Sequence, residues 1–151
     1  MKRYSLNYLT DAFYMKYDLI NFPEIENKKS RPYMVMLVKI EDNQFALPLR
    51  TNIKHKFCYQ FKKSGRPTHS RTGIDFSKAI VINDIAYIGN SAQIDNKEYI
   101  ELERNYFFII HKFQNYIRGY KEYVNNPDDL YKAQAYKFTT LKYFHKELGL
   151  E

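Results

Sequence analysis

Arg31-Pro-Tyr33, an apolar run, and then Pro48-Leu-Arg-Thr-Asn-Ile-Lys-His-Lys56 place cations, an imidazole and a hydroxyl at the ends of what reads as a pair of strands. Cations gathered around a hydroxyl are what a phosphodiester-binding site needs, because charge-assisted hydrogen bonds to phosphate oxygens are the strong ones. Met34 to Ile40 has the apolar character of a buried strand, and Gln44 to Leu49 reads as its partner across the polar turn Glu41-Asp42-Asn43. The outer ends of an antiparallel hairpin lie together, so Arg31 is expected beside Thr51, Asn52 and Lys54. The residues that chemistry on a phosphodiester would use are Arg31, Arg50, Thr51, Lys54 and His55, with Tyr33 and Asn52 as further contacts.

From Thr51 to Thr72 the chain turns basic and polar, with Gly65 and Pro67 as breakers, and reads as a long surface loop. Loops of that length in a small domain usually bind something or are disordered, and its charge favours binding. Lys54, Lys56, Lys62, Lys63, Arg66, His69 and Arg71 are its cations and imidazoles, interrupted by Phe57, Tyr59 and Phe61. Strand alternation would put those aromatics on one face. Two readings stand side by side: an RNA groove in which Tyr59 and its neighbours meet bases, or a half-buried strand with solvated lysines opposite. Ser77 and Lys78 open the next strand close to the same place, and Lys78 suits a further phosphate contact. Lys2, Arg3, Tyr4 and Tyr8 could also face RNA. His111 falls inside a helical pattern near its apolar stripe and reads as half-buried; His145 reads as surface.

The elements that must hold these groups fit one domain of 151 residues. A net charge of +7 and a pI near 9.3 favour polyanionic partners. No stretch approaches a bilayer-spanning length and the N-terminus lacks a secretory core, so a soluble cytosolic protein without membrane partners is expected. A single cysteine, Cys58, excludes an internal disulfide, and histidines at 55, 69, 111 and 145 lack the spacing of a metal site. Neither a metal nor another cofactor is expected.

Residues 2 to 9 read as a strand, followed by a short helix capped by Thr10 and Asp11 and reaching about Leu19. Lys78 to Ile82 and Ile85 to Ile88 read as a second hairpin around Asn83-Asp84. Apolar residues then recur at helical spacing through Tyr106, Ile109, Phe113, Tyr116, Ile117, Tyr120 and Val124, predicting a helix from near Lys97 to Val124. Asn126-Pro127-Asp128-Asp129 predicts a fresh start, with Tyr131, Ala135, Phe138, Leu141, Phe144 and Leu148 as the buried stripe of a last helix to about Leu148. The result is an α+β fold with a curled, mostly antiparallel sheet covered by helices, including a C-terminal helix pair.

The order Arg31-Pro-Tyr, strand, Phe45-Ala-Leu-Pro-Leu, Arg50-Thr-Asn-Ile-Lys-His-Lys56 and then Gly73-Ile-Asp-Phe-Ser-Lys-Ala79 resembles the toxins of type III toxin-antitoxin systems, nearest the CptN and TenpN branch and more distantly ToxN and AbiQ. The resemblance covers essentially the whole chain and lies in order and spacing, since none of its motifs is diagnostic alone. It implies a β-barrel-like sheet related in shape to the MazF and Kid toxins, and a metal-independent endoribonuclease that cleaves cellular RNA and is inhibited by a small pseudoknotted repeat RNA antitoxin. It also implies a closed cyclic assembly of protein and RNA. Carried over by position, the cation before the central strand is Arg31 and the hydroxyl after the next strand is Thr51. The distant toxins have a lysine at the first position and a Thr-Ser pair at the second; Arg50-Thr51 stands here for that pair, so Arg50 substitutes a phosphate contact for a hydroxyl. The basic residue that follows falls on Lys54, with Ile53 one place away. Such an enzyme drives the RNA 2'-hydroxyl onto the adjacent phosphorus; His55 then serves as a phosphate or base contact more readily than as a proton shuttle. Two other functions stay open: an RNA-binding regulator with no hydrolytic step, and a gyrase-directed toxin on a similar fold.

Overall fold

The expected central hairpin forms: β2 (Met34–Ile40) and β3 (Asn43–Thr51) pair antiparallel from Ile40↔Asn43 to Val35↔Pro48 in the computed structural model, which describes residues 3–26 and 34–151. Its loop is the two residues Glu41 and Asp42, and Glu41 takes φ 56°. A positive φ at the start of a two-residue loop gives a turn whose twist matches that of the strands. β1 (Tyr4–Leu9) pairs with the other edge of β2, so three strands form an antiparallel meander. Arg31, Tyr33 and Lys2 lie outside the described residues, and so does the expected approach of Arg31 to Thr51.

The outer edge of β3 is shared by two short strands. β5 (Thr72–Asp75) pairs with residues 49 to 51 and β6 (Ile80–Val81) with residues 45 and 46, both antiparallel. Between them the chain swells into a 3₁₀ turn, Phe76–Lys78. Gln44 bonds toward β6 through its carbonyl to Ile82 N (2.8 Å), and alternation puts the nitrogen of Pro48 on that same edge. Proline has no N–H to offer there, which suits a place where the partner strand leaves the ladder. The bulge carries Asp75, Ser77 and Lys78.

β4 (Cys58–Gln60) extends the sheet beyond β5, and β7 (Ile88–Ser91) extends it beyond β1. The order β4-β5-β3-β2-β1-β7, with β6 beside β3, makes seven antiparallel strands among the described residues, which do not close into a barrel. The predicted hairpin of residues 78 to 88 does not form. Asn83 Oδ1 accepts from Gln44 N (2.9 Å) and Asp84 Oδ1 caps a 3₁₀ turn at Ile85–Tyr87, which carries the chain to the far side of the meander. Residues 51 to 72 are also more ordered than a loop, holding β4 and a 3₁₀ turn at Thr68–Ser70.

α1 (Asp11–Lys16) is shorter than expected, and Thr10 spends its hydroxyl on Ala86 O (2.7 Å) instead of capping. The long amphipathic pattern divides into α2 (Asn96–Arg104) and α3 (Tyr106–Asn125). The break is Asn105, whose amide nitrogen bonds Glu101 O and Tyr59 Oη, both at 3.2 Å, a competition with the helical backbone to which Asn is prone. α3 buries Phe113 against Phe45 and Phe76, with ring centroids 5.3 and 5.5 Å away. Each such ring removes enough apolar surface from water to contribute roughly 1.5 to 3 kcal/mol.

The last predicted helix is replaced by a six-residue α4 (Leu130–Ala135), capped by Asp129 and not Asn126, and a 3₁₀ turn at Thr140–Tyr143. Tertiary bonds end it. Thr139 is held by Tyr116 Oη (2.8 Å), and the Thr140 hydroxyl donates to the carbonyls of Ala79 and Ser77 beneath the bulge. Leu141, Phe144 and Leu148 are buried as expected, whereas Tyr131 and Phe138 are exposed. No helix among the described residues is long and apolar enough to cross a membrane.

Candidate functional site

Asp75 organises the site. Its carboxylate is fully buried at the start of the bulge, where Oδ1 accepts from Ser77 N (3.0 Å) and from the Ser77 hydroxyl (2.6 Å). Oδ2 accepts from Arg50 Nη1 at 2.6 Å, and His55 Nε2 lies 3.2 and 3.3 Å from the two oxygens. Gly73 lies directly opposite Arg50 on β5, and the space over it is taken by Ile53. A Cβ there would stand 2.9 Å from Ile53 Cδ1 and 3.0 Å from Tyr59 O.

The Arg50 guanidinium is forked between two carboxylates, with Nη2 3.0 Å from Glu26 Oε1. That uses two of its five N–H donors. His55 Nδ1 accepts from Phe57 N at 3.0 Å, which puts the ring proton on Nε2, facing Asp75 and the Ser77 hydroxyl 3.3 Å away. The three residues therefore do not form a nucleophilic triad: Ser77 donates to the carboxylate, and the histidine lone pair is turned toward the backbone. Lys78 is half-buried and donates to Phe138 O (3.2 Å). Burial pushes its ammonium below the ordinary value, against the partial pull of Asp75 and Glu26.

Arg50, His55 and Lys78 are thus brought together. Thr51 ends β3, exposed, on the opposite face from Arg50 by strand alternation, and faces Thr72 across the ladder. Asn52 has φ 54°, a left-handed turn that Asn tolerates well, and it redirects the chain from β3 toward His55. Ile53 is half-buried over Gly73 while Lys54 is exposed, so Lys54 is the cation available to solvent at that offset. Lys56 donates to Tyr131 Oη at 2.8 Å.

The aromatics of the basic tract face inward. Phe61 and Tyr59 are buried, and the Tyr59 hydroxyl donates to Glu101 Oε2 at 2.5 Å, so the half-buried strand describes them. Their cations gather elsewhere: Lys62, Lys63 and Arg71 line a shallow groove with Lys97 and Arg104 of α2. Arg71 Nε is buried there with no hydrogen-bond partner among the described residues. Arg66 pairs with the buried Glu98 at 3.6 Å and serves the fold, and His69 is exposed in its 3₁₀ turn. His111 is exposed, not half-buried, and His145 is half-buried against Tyr120 Oη at 2.5 Å.

Glu101 holds the base of this groove by accepting from Tyr59 Oη and the amides of Lys62 and Lys63. Burial raises its carboxyl, but the Tyr59 hydroxyl and the two amides outweigh burial and leave it below its ordinary value. The sign follows: the contribution is complete above the unfolded carboxylate range, near pH 4.3, and is lost as pH falls through the lowered folded value. Glu101→Gln is expected to lose about 1 to 3 kcal/mol at pH 7. Urea titrations from pH 6 to 3 should show wild-type stability falling toward that of the variant; parallel curves would remove Glu101 from this account.

Asp75 and Glu26 are the site residues that reading the sequence misses. Asp75 had a signal, since Asp two residues before Ser in Gly73-Ile-Asp-Phe-Ser-Lys is the pattern of a side chain closing a turn on the backbone. Glu26 has none, because only folding brings it to Arg50. Among the described residues no group of three histidine, cysteine or carboxylate side chains is arranged to hold a metal ion. Comparison of the chain with protein-family models, curated proteins and solved structures gives no match.

Proposed function

We propose that this chain is a metal-independent endoribonuclease toxin of the type III toxin-antitoxin kind, held inactive by a small pseudoknotted RNA. The observation that carries the reading is the Arg50 guanidinium, oriented by Asp75 and Glu26 beside Lys78 and His55. The order of motifs from Arg31 to Ala79 supports it from the sequence side. In the reaction the 2'-hydroxyl attacks phosphorus, the P–O5' bond breaks, and a 2',3'-cyclic phosphate and a 5'-hydroxyl result. The Arg50 N–H groups not engaged by Asp75 or Glu26 among the described residues and the Lys78 ammonium neutralise the phosphorane oxygens, a preorganised electrostatic role. Lys54, exposed beyond the turn at Asn52, holds the flanking phosphate, whereas Thr51 faces away from the cluster. Asp75 steadies the His55 ring at Nε2 as a phosphate or base contact, while water takes the 2'-hydroxyl proton and returns one to the departing O5'.

A second reading, an RNA-binding regulator without turnover, draws on a specific observation: the His55 lone pair and two Arg50 donors are already engaged. One assay separates them. Purified protein incubated with labelled RNA, with and without chelator, is expected to yield fragments ending in cyclic phosphate at equal rates. Salt-sensitive binding that leaves the RNA intact would instead support the regulator.

A further inference from the structure

Tyr131 and Phe138 are large aromatic rings that are 71% and 61% exposed, on the segment that packs over the Asp75 cluster. Both are tied to it. Tyr131 Oη accepts from Lys56, the neighbour of His55, and the Phe138 carbonyl accepts from Lys78, the neighbour of Ser77. The segment between them is anchored by Tyr136, whose hydroxyl donates to Tyr116 O at 2.8 Å and whose ring stacks on Phe57 at a centroid distance of 6.4 Å. Cations flank the rings: Lys56 Nζ stands 5.4 Å from the Tyr131 centroid, and Lys137 Nζ 5.4 Å from that of Phe138. The backbone beneath them is held, so the rings are presented and not merely loose.

We infer that Tyr131 and Phe138 are a stacking platform for unpaired bases of RNA whose phosphodiester lies on the Arg50 and Lys78 cluster. Exposed rings beside ammonium groups have the composition of a single-strand binding surface: the π faces take bases, and the lysines take the phosphates between them. An apolar protein partner fits less well, since Lys56, Lys78 and Lys137 rim the patch and charge is depleted at the centre of protein interfaces. The inference rests on the RNA reading above and adds the part of the surface that would select unstacked nucleotides near the scissile bond.

The test is equilibrium binding to a fluorescent single-stranded 2'-O-methyl RNA 12-mer, in which the attacking hydroxyls are blocked, with an abasic oligomer of the same length and sugar as control. Tyr131→Ala and Phe138→Ala are expected to weaken RNA binding by roughly 5- to 150-fold each, and to leave abasic binding unchanged. Tyr131→Phe and Phe138→Tyr should retain wild-type affinity, because the ring is kept. Both positions are exposed, and thermal melts identify any variant that loses structure. Unchanged RNA affinity in the alanine variants overturns the platform while leaving the RNA reading intact. Wild-type protein that binds neither oligomer overturns both. A concentration-dependent dimer that the alanine variants abolish would assign the rings to self-association and also overturn the platform.

Discussion

Replacing Asp75 by alanine is expected to lower the unfolding free energy by about 1 to 3 kcal/mol, since its donors lose a buried acceptor while Arg50, 31% exposed at its side chain, keeps access to water. The carboxylate is fully buried and accepts from Arg50 Nη1, Ser77 N and the Ser77 hydroxyl, with His55 Nε2 at 3.2 Å. Its loss leaves Arg50 with Glu26 as its carboxylate partner among the described residues and frees the bulge from its cap. The size of the effect separates two origins. If it comes from the guanidinium left without Asp75, the double variant Asp75→Leu with Arg50→Met recovers part of the stability lost in Asp75→Ala, because that charge is removed, less what Glu26 loses with its Arg50 partner. If the bulge cap dominates, the double variant stays as unstable as the single one. Urea denaturation measures both, and a loss below about 1 kcal/mol for Asp75→Ala would mean that the cluster is not closed in solution.

Arg50→Lys is the corresponding prediction for activity. Lysine keeps the charge that Asp75 needs, so the fold should survive. What disappears is the fork that meets Asp75 at 2.6 Å and Glu26 at 3.0 Å and aims its remaining donors outward. Losing one preorganised donor to developing oxyanion charge lowers turnover by roughly 100- to 1000-fold in comparable sites. That drop is expected in cleavage of a labelled RNA, with the midpoint of urea unfolding little changed. A rate within about threefold of wild type would restrict Arg50 to holding Asp75 and favour the non-hydrolytic reading.

The central hairpin was legible because its signal is local. An apolar run, a polar turn and a second run specify β2 and β3 within 18 residues, and the pairing from Ile40↔Asn43 to Val35↔Pro48 follows from them. The apolar face of α3 was equally plain, since Phe113, Tyr116, Ile117 and Tyr120 recur at helical spacing and are buried. The second hairpin and the last helix failed for one shared reason. Both have good local patterns, but Asn83, Thr139 and Thr140 use their polar side chains on distant partners, Gln44, Tyr116 and Ala79. At the buried Thr139 and Thr140 a tertiary hydrogen bond outweighs a few tenths of a kcal/mol of propensity per residue, and at the exposed Asn83 the bond redirects the chain at the edge of β3.

The same division runs through the candidate site. Sequence alone put Arg31 and Thr51 at its centre, although Arg31 lies outside the described residues and Thr51 is on the face away from Arg50, and it placed Arg50, His55 and Lys78 near that same site. It could not determine which anions would hold them, since Asp75 and Glu26 reach Arg50 from 25 and 24 residues away. Nor could it show that Tyr131 and Phe138 would face solvent: Tyr131 lies on an outward face of the short α4, and Phe138 falls after α4 has stopped, where helical periodicity no longer holds. Packing decided those outcomes, because the buried hydroxyls and carboxylates had to find partners and the chain bent to supply them.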